Sequence, residues 1–438
     1  MRLRYFSESE FQSRIQRVRE AMAAREIDAC IITNPENVYY LTGLNHQGYF
    51  AYTSLILPLE QEPVLITRKM ERAIVQDMVP DVLHYTYSDG IEPLPKAQNR
   101  AADLTMAIPE GEGELPPAEE GAGLNPWSMS LGVSIRTTED EALDYDAPME
   151  VTCEAISDLK LTSARIAFEQ NSSFLPYRVA QGFVSRLSNV TWLDARDLVN
   201  DCRIVQSPSE LECTREAATI SDAMVMTATA MAGPGVSKSD VMAGIYQVMF
   251  QRGGTYPAFV PLVRSTRTIA HEHGTWDRYR LQKRDLLFLE MAGCHWRYHA
   301  PVGRLVHIGG SRSKAKDIHA VALEALYAAA DALKPGATAD SVYQVWKGCV
   351  KRAKLPHYER HHCGYIVGIG FPPSWSGSGV PRGLRRGSPM EIRPGMVFHL
   401  MSWLLRTGRG DSFLSDTVVV TEKGAEFLTH APRQLLVR

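Results

Sequence analysis

In the stretch "FLEMAGCHWRYHAPVGR", Phe288 to Arg304, Glu290 follows directly behind an apolar run. A carboxylate at the end of a buried strand needs a partner, because stripping it of water costs several kcal/mol. A cationic substrate would serve, and so would a neighbouring arginine, with Arg297 and Arg304 near in sequence. Ionised, such a group can attack an electrophilic carbon or take a proton from water. Three more clusters carry chemistry. "HEHGTW" sets His271 and His273 two apart, ahead of Trp276. On a strand both imidazoles would share one face, free to hold a metal or a substrate carboxylate, or simply to meet solvent. "HHCGYIVGIGFPPSW" links His361, His362, Tyr365 and Trp375 through glycines that permit close backbone approach. "RPGMVFHLMSW" alternates His399, Met401 and Trp403 along one strand face, which is either core or a wall for a cation. No GxSxG, P-loop or HExxH motif is present, and few carboxylates converge, as a hard-metal site would require.

The elements that must hold these residues follow from periodicity. "FQSRIQRVREAMAARE" has helical spacing. "DACIITN", "YFAYTSLILPL" and "EPVLITR" read as strands, and the alternation continues to "ARIAFEQ" and "TWLDARDLV". The Glu/Gly/Pro-rich "PEGEGELPPAEEGAGLNP" reads as a solvated loop within this region. "RIVQSPSELECTREAATISDAMVMTATAM" begins a second domain with a long helix. Amphipathic helices over 237–252 and 314–334 then alternate with strands "LLFLE", "RLVHI", "GMVFHLM" and "DTVVVTE". That pattern predicts an α+β domain with a largely antiparallel sheet.

A chain of 438 residues, 45% hydrophobic, can build two cores. A net charge of -3 gives no general attraction to nucleic acid or an anionic membrane surface. Seven scattered cysteines without a CxxC argue against disulfides and zinc knuckles. The N-terminus lacks signal-peptide character and no apolar run is long enough to span a membrane, so the expectation is a cytoplasmic protein.

Several stretches together resemble the creatinase/prolidase/methionine aminopeptidase superfamily, the pita-bread fold: "DACIITNPENVYYLTGL", "RIVQSPSELECTREAATISDA", "RPGMVF" and "DTVVVTEKGAEFLT". The resemblance implies an α+β chain of two domains. Residues 1–198 would form a small α/β creatinase-like N-terminal domain with an insertion at about 95–148, and 199–438 a pita-bread catalytic domain. It also implies a homodimer. Metallopeptidases of this kind bind two metal ions through two Asp, one His and two Glu. Those positions fall here on Glu290, Pro301, Tyr365, Met401 and Ser415, so the dimetal site is not retained. The two glutamates of creatinase would fall on Gly303 and Met401.

Within the superfamily, "LEMAGC", "RYHAP", "TYPAFVPL", "GYIVGIGFPPSW" and "PGMVFHLM" resemble the metal-free ectoine hydrolases. What this implies is metal-independent, cofactor-free hydrolysis of a C–N bond in a small cationic or zwitterionic molecule, such as a cyclic amidinium. Glu290 would be nucleophile or base, Tyr365 would orient the tetrahedral intermediate, and His399, His271 or His273 would carry the proton. Trp276, Phe288, Trp375, Met401 and Trp403 would join the two histidines in binding substrate. The segments "HEHGTW", "DSFLSDT" and "LNHQGYF" depart from that pattern. With Asp416 as its only acid, "FLSDT" predicts weaker binding of ectoine itself. Two alternatives are an inactive binding module and a metallopeptidase with ligands relocated to His271, His273, His295, His299 and His399.

Overall fold

The computed structural model describes residues 4–88, 146–311, 313–355, 358–377 and 381–438. They divide into two compact units, Met1–Val199 and Asn200–Arg438. Apart from its last few positions, the acidic insertion lies outside the described residues.

In the first unit, α1 (Glu8–Ala23) is capped by Ser7, whose hydroxyl accepts the Glu10 N–H. It buries Phe11, Ile15, Val18 and Met22 at helical spacing. The strands are β1 (Ala29–Ile32), β2 (Ser54–Pro58), β3 (Val64–Arg68), β4 (Leu83–Tyr87), β5 (Arg165–Phe168) and β6 (Thr191–Asp194). They form one mixed sheet in the order β4-β3-β2-β1-β5-β6. Helices α2 (Pro35–Thr42), α3 (Arg72–Met78), α4 (Ala147–Asp158) and α5 (Tyr177–Arg186) complete it. The Asn34 side chain makes no capping bond at the start of α2. Glu169, buried just past β5, instead holds the chain that enters the helix, accepting the Thr33 and Asn34 N–H groups at 2.7 Å each.

The short α6 (Leu198–Arg203) leads on in sequence to α7 (Pro208–Met231), which opens on a reciprocal Ser207–Glu210 capping box. The second unit adds α8 (Lys238–Gln251) and the strands β7 (Leu262–Ser265), β8 (Leu286–His295) and β9 (Tyr298–His307). Then come α9 (Ala315–Ala332), α10 (Ala339–Arg352), β10 (His362–Ile366), β11 (Gly383–Arg385), β12 (Val397–Leu404), β13 (Ser412–Thr421), β14 (Gly424–Phe427) and β15 (Leu436–Val437). These nine strands make one sheet with the main order β11-β10-β12-β13-β9-β8-β7. Every pairing is antiparallel except β15 with β9, which bears out the antiparallel α+β expectation.

Strand parity explains the site. Leu287, Leu289 and Met291 of β8 pack under α7 and α8. Phe398, Leu400 and Leu404 of β12 pack under α9 and α10. All four helices therefore cover one face of the sheet. The opposite parity, including Glu290 on β8 and Met401 on β12, faces a cavity. With both faces covered, β8 and β9 show little polar–apolar alternation. Gly293 has a packing reason, because a Cβ there would lie 2.4 Å from the Ala217 carbonyl of α7.

Three differences from the sequence reading stand out. "LLFLE" and "RLVHI" are parts of two ten-residue strands joined as a hairpin. The unforeseen α10 carries a Thr338 cap and buries Val342, Tyr343, Trp346, Cys349 and Val350. "HEHGTW" is not a strand: the His271 N–H bonds the Thr268 carbonyl and the Gly274 N–H bonds the His271 carbonyl, closing two successive turns. All seven cysteines are free. No helix among the described residues is long and apolar enough to cross a membrane.

Candidate active site

Two rows of side chains cross the cavity-facing side of the second sheet. In the first, Leu262 pairs with Glu290, Glu290 with Gly303, Gly303 with Ser415, and Ser415 with Met401. In the second, Ala292 pairs with Pro301, the Thr417 hydroxyl donates to the Pro301 carbonyl, and Thr417, His399 and Tyr365 stand in register. Phe413 fills the middle of the floor. A Cβ on Gly303 would lie 2.2 Å from its ring, so glycine makes the room. The ring stacks on Phe288 at 4.4 Å.

A cavity of about 350 Å³ stands over these rows, lined by Glu290, Tyr365, Trp375, Met401 and Trp403 with Phe259 and His273. Glu290 is 5% exposed. Burial pushes its pKa up to about 7 against the downward pull of Arg264 and Arg360, with a further upward push from Glu272. Its Oε1 lies 3.9 Å from His399 Nδ1, beyond hydrogen-bond range. Tyr365 Oη accepts the Trp375 indole N–H at 3.0 Å and lies 3.1 Å from His399 Nδ1. Burial and the Glu290 charge raise the Tyr365 pKa, so the phenol keeps its proton. Burial lowers His399 to about 3, helped by His362 and Arg360, so its imidazole is neutral.

The structure sorts the residues singled out by sequence. Glu290, Tyr365, Trp375, Met401 and Trp403 come together around the cavity, with His399 immediately behind Tyr365 and His273 at the wall. Others fall elsewhere. Phe288 is wholly buried in the floor, beneath the Arg264 guanidinium at 3.8 Å. His271 and Trp276 are exposed and do not line the cavity, because their segment is a chain of turns. The face of Trp403 is taken by Arg360 at 4.1 Å, so it is not open to a substrate cation. Arg297 and Arg304 are not partners of Glu290. Arg297 donates to the Gly370 and Tyr256 carbonyls. Arg304, one residue past Gly303, points to the helix-covered face and pairs with Asp416 at 3.0 Å. Asp416 is thus also outside the cavity, and "FLSDT" brings no acid to it.

The cations near Glu290 are Arg264 and Arg360, which sequence reasoning missed. Arg264 enters through strand pairing, opposite Phe288. Its trace in the sequence is a charged residue inside the apolar run "PLVRS". Arg360 lies two residues before β10 and left no such signal.

The donor set does not fit a hard divalent cation. Of the five positions that the resemblance assigns to ligands, Glu290 alone bears a carboxylate, while Pro301 and Met401 offer no oxygen or nitrogen donor. The relocated set is not assembled either. His299 Nε2 is occupied by the Ala258 N–H at 2.9 Å, and His271 lies on the exposed loop. Among the described residues no group of three or more His, Cys, Asp or Glu could hold a metal ion.

Two family models match the chain: the creatinase/prolidase N-terminal domain over residues 14–112 and metallopeptidase family M24 over 212–422. The chain belongs to the creatinase/prolidase superfamily. It is a hydrolase of the M24 family by descent, with the two-domain pita-bread architecture. It is 28% identical to the ectoine hydrolase of Halomonas elongata, over 99% of this chain and 98% of that one. It is also 28% identical, over the whole length of both, to an uncharacterized hydrolase/peptidase, y4tM, of Sinorhizobium fredii. The solved dipeptidase PepE of Mycobacterium ulcerans superposes with a TM-score of 0.74 at 20% identity, covering 99% of each chain, which speaks to the fold alone.

Proposed function

We propose that this M24 hydrolase opens a C–N bond in a small cationic or zwitterionic molecule of the cyclic amidinium class, without a metal ion. The observation that carries the reading is Glu290, a lone buried carboxyl with a pKa of about 7, set in an aromatic-walled cavity in place of a ligand cluster. The similarity to ectoine hydrolase along the full chain supports the substrate class.

In an amidinium the charge is spread over N–C–N, which leaves the carbon electrophilic. Ionised Glu290 pairs with that cation, and Trp375 and Phe259 offer aromatic faces to it. A Glu290 oxygen attacks the carbon. The C–N bond to one ring nitrogen then breaks as that nitrogen takes a proton from water, and the hydroxide so formed adds to the adduct carbon, releasing the amide and freeing the carboxylate. Alternatively Glu290 takes a proton from the attacking water and passes it to the leaving nitrogen. Tyr365 accepts from Trp375, and an Nδ1–H of neutral His399 suits its second lone pair. Its own O–H is then free to donate into the cavity as the tetrahedral centre forms. His399, neutral and behind the phenol, is a positioning residue in this scheme and not the proton carrier.

A mass-spectrometric screen of ectoine, 5-hydroxyectoine, creatine and Xaa-Pro dipeptides tests the proposal. The expected result is opening of a cyclic amidine, with kcat/KM rising as pH passes through about 7 and Glu290 ionises. Cleavage of Xaa-Pro dipeptides alone, dependent on added Mn²⁺, would refute it.

A further inference from the structure

The cavity over Glu290 shares a wall with a second one of about 430 Å³. The shared residues are Glu272, Arg360 and Trp403. The Arg360 guanidinium sits over the Trp403 ring at 4.1 Å, with 11% of its side chain exposed. Its Nε is buried without a hydrogen-bond partner. Its ion-pair contact is to Glu272 at 3.7 Å, longer than a hydrogen bond, and the Glu272 side chain is 61% exposed on the loop of turns. Behind Trp403, Arg264 is wholly buried, and its Nε and Nη2 also lack partners. Arg264 lines neither cavity, so Arg360 is the guanidinium that meets this region, whose nearby anions are Glu290 and the loosely held Glu272. Buried donors left unmade are costly, so this corner is built to receive an acceptor with negative charge.

We propose that Arg360 binds the anionic group of the substrate, a carboxylate on the same small molecule whose C–N bond Glu290 attacks, and that Glu272 occupies Arg360 until the substrate displaces it. The proposal rests on the hydrolase reading above and names its specificity residues. A guanidinium stacked on an indole keeps its donor edge free and in one plane, which suits a carboxylate gripped by two parallel hydrogen bonds. The resident pair is easily broken, because an exposed, long ion pair is worth little and released Glu272 returns to water on its loop. A carboxylate brought into the cavity is shielded from water and bonds more strongly. With a cation held at Glu290 and an anion at Arg360, the site selects a zwitterion over an amidine of the same shape that lacks the acid.

The test compares ectoine with 2-methyl-1,4,5,6-tetrahydropyrimidine, the same ring without its carboxylate. Catalytic efficiency on both is measured for the wild type, Arg360→Met, Arg360→Lys and Glu272→Gln, with melting temperature as the control for folding. The wild type is expected to prefer the carboxylated ring. Arg360→Met should cut that preference about tenfold or more, chiefly through KM. Arg360→Lys, the variant that keeps the charge, should retain part of it. Glu272→Gln should lower KM for the carboxylated ring, since the internal competitor is gone. An unchanged preference in Arg360→Met, or a raised KM in Glu272→Gln, overturns the proposal. If the wild type opens neither ring, the hydrolase reading fails instead. Calorimetric binding of ectoine to Glu290→Gln protein, with and without Arg360→Met, then decides Arg360 separately, and equal affinity in the two would overturn its role.

Discussion

Glu290→Gln should abolish turnover and, above neutral pH, make the second unit more stable. Burial lifts the carboxyl from 4.5 to about 7 in the folded chain. Below pH 4.5 it is protonated whether the chain is folded or not, and the raised pKa costs no stability. Between these limits the unfolded chain loses the proton while the folded one keeps it, so stability falls as pH rises. Above the folded value the loss is complete. At about 1.4 kcal/mol per pH unit, that span amounts to about 3 kcal/mol. Glutamine does not titrate, so the variant lacks this slope, whatever constant cost its amide adds. For a unit of this size about 1 kcal/mol moves the melting temperature by roughly 2–4 °C. About a quarter of that loss has already occurred by pH 5, so the melting temperature of the variant relative to the wild type should rise by about 5–10 °C between pH 5 and pH 8. Thermal melts of both proteins at pH 5, 6, 7 and 8 measure it. Parallel curves would show that Glu290 titrates near its ordinary value, and the case for a carboxyl poised near neutrality would collapse.

Tyr365→Phe should lower kcat by about 10²–10³ if the phenol donates to the transition state, with KM little changed; a loss confined to KM would assign it to binding. Asp416→Asn should destabilise the second unit by about 3–5 kcal/mol, because it leaves the buried Arg304 and the nearby Arg433 without their countercharge. Melting within a degree of the wild type would contradict that network. Incubation with EDTA followed by gel filtration should leave turnover intact, and a loss restored by Mn²⁺ or Zn²⁺ would show a functional metal that the donor set does not account for.

Much of the architecture was legible because strand and helix periods are local. α1, α7 and α8 follow from apolar spacing and caps, and the face shared by His399, Met401 and Trp403 follows from the two-residue period of β12. The same local logic failed at "HEHGTW", where alternating histidines look like a strand and turn hydrogen bonds decide otherwise.

The sequence by itself singled out Glu290 as a carboxylate that had to be answered for, and, once its resemblance to the superfamily gave the ligand positions, it showed side chains there that leave one carboxylate among five, since those are matters of residue type. Which charges answer Glu290 was decided by the tertiary structure. Arg304 is near in sequence but on the wrong side of the sheet, because each residue along a strand reverses its face. Arg264 reaches the right side through the pairing of β7 with β8. The pKa near 7 is likewise a property of the assembled fold: burial raises it, two arginines distant in sequence restrain it, and neither effect exists until the strands meet.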